Sequence, residues 1–178
     1  VSADPRFRLF FTDEECRKLD LSLRNVQPLF YPEDFSYFDQ YSDGDGYELD
    51  SYREHFQAVL EGIRENRILA IDYFSAKNHL TTFRYLPCRL EYSARDDKFR
   101  LMAVRVRKDD SLSRLTILNL SRIMRIKDTG KSLEIRPDID ACLEHSLCRE
   151  PVVLEISNER NALERTMLHF ACYKKRTE

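Results

Sequence analysis

The sequence predicts an α+β fold in which helices lead into a meander of β-strands. Three observations carry this. Four runs rich in β-branched and aromatic residues, Ile68–Ser75, Thr82–Tyr92, Phe99–Arg107 and Leu115–Ile126, are separated by short polar breaks, which is the signature of strands. Two earlier stretches, 12–26 and 51–67, carry helical apolar stripes behind N-terminal capping patterns. The strands also bear an unusual number of arginines: Arg84, Arg89, Arg100, Arg105, Arg107, Arg114 and Arg122.

In the first helix Thr12 and Glu15 form the capping pattern, Cys16, Leu19, Leu23 and Val26 share a face, and Pro28 ends the run. Residues 31–41 follow, with Pro32 placed for the first turn of a short helix. The aromatic side chains of that stretch (Tyr31, Phe35, Tyr37, Phe38, Tyr41) read as a docking face. Ser42 to Asp50 is a polar loop. It resembles a calcium loop only superficially, because Tyr41 and Tyr52 occupy the first and twelfth positions, where carboxylates are needed. The second helix opens on Ser51 with Glu54 as the capping pair. It carries Tyr52, Phe56, Val59, Leu60 and Ile63 on one face and runs directly into the first strand, so it is expected to pack on the sheet or barrel.

Beyond Ile126, Asp128 to Lys131 reads as a turn and Leu133 to Ile135 as a short extended piece. Asp138 is placed to cap a short helix carrying Ile139, Cys142, Leu143 and Leu147. Val152 to Ile156 reads as a strand, and a helix with Leu163, Met167 and Phe170 on one face follows from Ser157. The expected divisions are therefore a helical segment and acidic linker (1–50), a β domain with its leading helix (51–136), and a linker helix with a partial β-α extension (137–178).

The net charge of -2 conceals a segregation. Residues 1–60 hold 6 Lys and Arg against 13 Asp and Glu, a net of -7; residues 61–127 hold 15 against 8, a net of +7. A basic β segment between acidic flanks points to an anionic ligand or nucleic acid, or to neutralisation of one segment by the other. Five cysteines, an odd number without a C-x-x-C pair, argue against a disulfide framework or zinc site and for a reducing, cytoplasmic setting. No apolar run has the length of a membrane span. No P-loop, G-x-G-x-x-G, G-x-S-x-G or H-E-x-x-H is present, so the chain reads as a non-enzyme without a cofactor or metal.

Alternation splits the strand arginines between two faces. Tyr73 and Ser75 share a face of the first strand, and Arg122 shares a face of the last with Thr116, Leu118 and Leu120. If Tyr73 and Arg122 converge, they offer a phenol, a planar fork of donors and a stacking surface, a set suited to a phosphate or nucleobase. The competing reading pairs the arginines with Asp72, Glu91, Asp109 and Asp110, or lays them over apolar sheet surface.

At these residues the sequence resembles the WYL domain, a family of bacterial ligand-sensing domains. The likeness runs from the leading helix through Tyr73-Phe74-Ser75, Pro87-Cys88-Arg89-Leu90, Lys98-Phe99-Arg100-Leu101 and Leu120-Ser121-Arg122-Ile123. Phe99-Arg100-Leu101 stands where the family has its naming Trp-Tyr-Leu, and only the leucine is kept. Pro151 to the end, with Asn161-Ala162-Leu163-Glu164-Arg165, is similar to the start of the extension that follows such domains. The resemblance implies a small SH3- or Sm-like β-barrel. It also implies a role as the sensor of a transcriptional regulator, often a homodimer, whose helix-turn-helix DNA-binding domain lies outside this chain. The ligand would be a nucleotide or single-stranded nucleic acid. The implied pocket residues are Tyr73, Ser75 and Arg122, with Arg89 and Arg114 as neighbours and Arg100 adding charge where the family has tyrosine. The alternative is a protein-interaction or dimerisation module without a small ligand.

Overall fold

The computed structural model describes residues 4–28, 31, 34, 44–75, 77, 79–134, 136–146, 150 and 152–171. The chain divides into two units, Val1–His145 and Ser146–Glu178.

The first unit opens with α1 (Pro5–Arg8) and α2 (Asp13–Ser22). The expected capping box of α2 is present: the Glu15 amide donates to the Thr12 hydroxyl, and the Thr12 amide donates to the Glu15 carboxylate at 2.8 Å. The helix stops before Leu23 and Val26, both exposed rather than on a buried face. Almost all of the aromatic stretch 31–41 lies outside the described residues.

Helix α3 (Asp50–Glu65) buries Tyr52, Phe56, Val59 and Gly62. Its start corrects the sequence reading. The N-cap is Leu49, without a side-chain cap, because Ser51 already lies inside the helix. Asn66 ends it in the left-handed region (φ 53°), its amide donating to the Gly62 carbonyl, and the chain turns at once into β1.

Five antiparallel strands follow: β1 (Arg67–Phe74), β2 (Leu80–Ser93), β3 (Lys98–Val106), β4 (Leu112–Asn119) and β5 (Ile123–Ser132). The first four form a meander. A 3₁₀ turn, Leu120–Arg122, then redirects the chain, and β5 pairs with the free side of β1. The order is β4-β3-β2-β1-β5, with β4 and β5 as edges, so the sheet does not close into a barrel. The run Leu115–Ile126 is thus broken where one strand was expected. Conversely, Asp128 to Lys131 belongs to β5 instead of forming a free turn. A register shift opposite Arg67–Leu69 absorbs Gly130 (φ 71°), whose amide donates to the Asp128 carboxylate at 2.8 Å, while the Thr129 hydroxyl donates to the Ile68 carbonyl at 2.6 Å.

Alternation gives the sheet two apolar faces. Leu69, Ile71, Tyr85, Phe99, Leu101, Ala103, Leu118, Leu120 and Ile123 form the inner face with Tyr52, Phe56 and Val59 of α3. Ile68, Leu86, Cys88, Met102, Val104 and Val106 form the outer face. There they meet Ile139 of α4 (Ile139–Ser146), which Asp138 caps by accepting from the Asp140 and Ala141 amides. At one end of the inner face the N-terminal segment is clasped onto the β2–β3 hairpin. Leu9 is buried and Phe10 lies edge-on to Phe56 at 5.0 Å. Asp45, 7% exposed, accepts from the Tyr52 hydroxyl at 2.8 Å and the Phe99 amide at 3.1 Å. The Tyr47 hydroxyl donates to the Asp97 carbonyl at 2.5 Å, and burial holds the Tyr47 and Tyr52 phenols far above their ordinary range.

In the second unit, α5 spans Ala162–His169. It begins after Arg160 and Asn161, both at positive φ, and so later than the expected Ser157. Residues 152–156, expected as a strand, have no regular structure, and Val152 and Val153 are exposed. Among the described residues no helix is long and apolar enough to cross a membrane, and no group of three or more His, Cys, Asp or Glu is placed to hold a metal ion.

Candidate anion-binding face

The arginines sort by face. On the outer face each is matched with a carboxylate: Arg84 with Asp110 at 2.7 Å, Arg89 with Asp140 at 2.9 Å, Arg100 with Asp96 at 3.1 Å and Arg125 with Asp72 at 2.8 Å. The matching holds those acids down: the Thr82 hydroxyl and Arg125 lower Asp72, and Lys131 and Arg84 lower Asp110. Arg105, Arg114 and Arg122 have no ion-pair partner among the described residues.

Two of those three are gathered at the inner face, at the end away from the clasp. The register sets Arg105 opposite Tyr85, and alternation puts Arg105 in the row of Leu101 and Ala103. Its guanidinium lies 3.5 Å from the centre of the Phe83 ring, a cation–π contact. Phe83 in turn meets Tyr85 edge-on at 6.4 Å. Arg114 is exposed on β4, two residues from Thr116, and Thr116 pairs with Ala103. Tyr85 links the two cations. Burial pushes its phenol up, and the nearby charges of Arg105 and Arg114 pull it down. Tyr73, half-buried on the same face of β1, accepts the Asn119 amide at 3.3 Å through its hydroxyl and so steadies the start of the 3₁₀ turn that carries Arg122.

The six expected site residues therefore separate. Tyr73 and Arg114 belong to the inner-face group. Arg122 is half-buried on the turn instead of on a strand. Ser75 closes the β1–β2 connection, its hydroxyl accepting the His79 amide at 3.2 Å and its own amide donating to the His79 carbonyl at 3.0 Å. Arg89 and Arg100 lie on the outer face in ion pairs. Phe83, Tyr85, Arg105 and Thr116 belong to the inner-face group and were not among the expected residues. Alternation along β3 from Phe99 through Leu101 and Ala103 reaches Arg105, but only the cross-strand register brings it to Tyr85.

No family model matches the chain, and neither does any curated protein. Among solved structures, the chain is similar to proteasome accessory factor B/C (PafBC) of Arthrobacter aurescens, at 22% identity and a TM-score of 0.41, over 52% of this chain and 14% of that one. It is also similar to a CRISPR Cas-related protein at 10% identity and a TM-score of 0.39, over 67% of this chain and 29% of that one. The chain thus spans less than a third of either structure. Likenesses at this level carry no argument about function, which rests here on the residues themselves.

Proposed function

We propose that this chain is the ligand-sensing part of a WYL-type transcriptional regulator, and that its inner face binds a nucleotide or single-stranded nucleic acid. The observation that carries this is the sorting of charge. Outer-face arginines are neutralised, whereas Arg105 and Arg114, beside Phe83 and Tyr85, and Arg122, on the turn that Tyr73 steadies, have no carboxylate partner among the described residues. Uncompensated guanidinium groups next to aromatic rings suit an anion with a planar base. The SH3- or Sm-like character belongs to the same reading: a four-strand meander with a 3₁₀ turn before a fifth strand that returns to pair with β1 supports it. Ligand occupancy would bias the orientation of a DNA-binding domain through differential affinity for two states.

The test is titration of a short single-stranded oligonucleotide and a nucleotide at several salt concentrations. Arg105→Ala, Arg114→Ala and Arg122→Ala each weaken binding about ten-fold and flatten its salt dependence. Arg89→Ala and Arg125→Ala, on the outer face, leave it unchanged. Equal losses on both faces, or binding indifferent to salt, would overturn the assignment.

A further inference from the structure

Two hydroxyls of the inner face lack hydrogen-bond partners among the described residues. Thr116 Oγ1 is buried and unsatisfied. The Tyr85 hydroxyl belongs to a residue only 4% exposed and is bonded to nothing described. A buried donor left unmade costs stability, so Thr116 Oγ1 calls for an occupant that satisfies it, and the Tyr85 hydroxyl is available to donate to the same occupant. Ala103, the small residue opposite Thr116 and two positions from Arg105, keeps the floor between them low. Arg105 pairs with Tyr85 across the strands, and Arg114 lies two positions from Thr116 on β4, so alternation gives it the same face.

The geometry points to a phosphate monoester as the group this face takes, with Arg105 and Arg114 gripping it and the Thr116 and Tyr85 hydroxyls donating from the floor. The inference rests on reading the inner face as an anion site and names the chemistry of that anion. A monoester projects three free oxygens on one stalk and carries a charge of about -1.5 to -2 at neutral pH. A diester within a strand has two free oxygens, a single charge and a nucleotide on either side. Two guanidinium groups match the larger charge, and hydroxyls in the floor are met by a projecting group better than by a passing chain. Arg105 is already laid over Phe83, so the ligand's base is not needed for that contact. A free nucleoside monophosphate and the phosphorylated end of a strand both carry this group.

The experiment compares one short oligonucleotide with a 5′-phosphate and with a 5′-hydroxyl, together with a nucleoside 5′-monophosphate and its uncharged nucleoside. The expected result is binding about ten-fold or more tighter with the phosphate present. Thr116→Val and Tyr85→Phe each bring that ratio toward one, while Arg125→Ala keeps it. A monophosphate that binds as tightly as the phosphorylated strand assigns the site to the free nucleotide. A much weaker monophosphate assigns it to the strand end. If both strands bind equally and Arg105→Ala still abolishes binding, the monoester is overturned and the anion site stands. A ratio that survives both hydroxyl variants also overturns it. If no probe binds the wild-type chain, the monoester and the anion site fall together.

Discussion

Thr116 shows how a single side chain exposes a competition between stability and binding. Its hydroxyl is buried and has no partner among the described residues, so its desolvation is uncompensated there. Thr116→Val keeps the β-branched shape and removes that penalty. It should raise the unfolding free energy by about 1 kcal/mol in a denaturant titration while weakening the phosphorylated ligand. Asp45 behaves oppositely. Its carboxylate serves Tyr52 and the Phe99 amide at once, so Asp45→Ala strands two buried donors and should cost about 2–4 kcal/mol by the same measurement. Neither residue stood out in the sequence. Asp45 read as one acid of a solvated loop, and Thr116 as one β-branched residue among many, because burial and cross-strand partners are properties of register and docking.

At the scale of elements, α3 meets the sheet tightly at Gly62. A Cβ built there would lie 3.0 Å from Leu69 Cδ1 and 3.1 Å from Pro87 Cγ, both on buried residues. Alanine is the better helix former by about 1 kcal/mol, yet those neighbours have little room to yield. Gly62→Ala should therefore lower the melting temperature instead of raising it. Most elements were legible because their signals are local: the Thr12–Glu15 cap, the stripe of α3, the alternation of β1 to β3 and the Asp138 cap. The break at Leu120–Arg122 was not, since an apolar run looks the same whether it crosses one strand or turns a corner. The extension of β5 through Gly130 was hidden for the opposite reason. A glycine two residues after an aspartate signals a turn locally, and only pairing with β1 converts it into a bulge. The same step separated the site residues: alternation divides arginines into two sets, but it does not say which set meets the carboxylates.

For the molecule as a whole, charge pairing makes stability depend on pH. Asp72, Asp110 and Asp128 are held below the ordinary carboxylate range in the folded state, Asp72 chiefly by the Thr82 hydroxyl, Asp110 by Lys131, and Asp128 by the Gly130 amide. Their contribution is complete above the unfolded value and is lost as pH falls through the lowered folded values. His55 acts in the same direction at higher pH. Burial depresses its ring below the ordinary value of 6.5, so the unfolded chain takes up a proton first, and stability declines as pH falls through that value. Chemical denaturation from pH 8 down to about pH 2 should show an early decline that His55→Gln reduces, followed below about pH 4 by a steeper one that it leaves in place.

The pairing of β5 with β1 also governs the order in which the chain is able to fold during synthesis. Arg67 pairs with Ser132 and Tyr73 with Ile123, so one side of β1 stays bare until the last strand has left the ribosome, after β2, β3 and β4 have already emerged. Closing so long a loop is slow, and the exposed edge in the interval is a template for intermolecular pairing. Nascent chains stalled before Ile123 should recruit holdase chaperones and remain protease-sensitive, and protection should appear abruptly once β5 is free to dock.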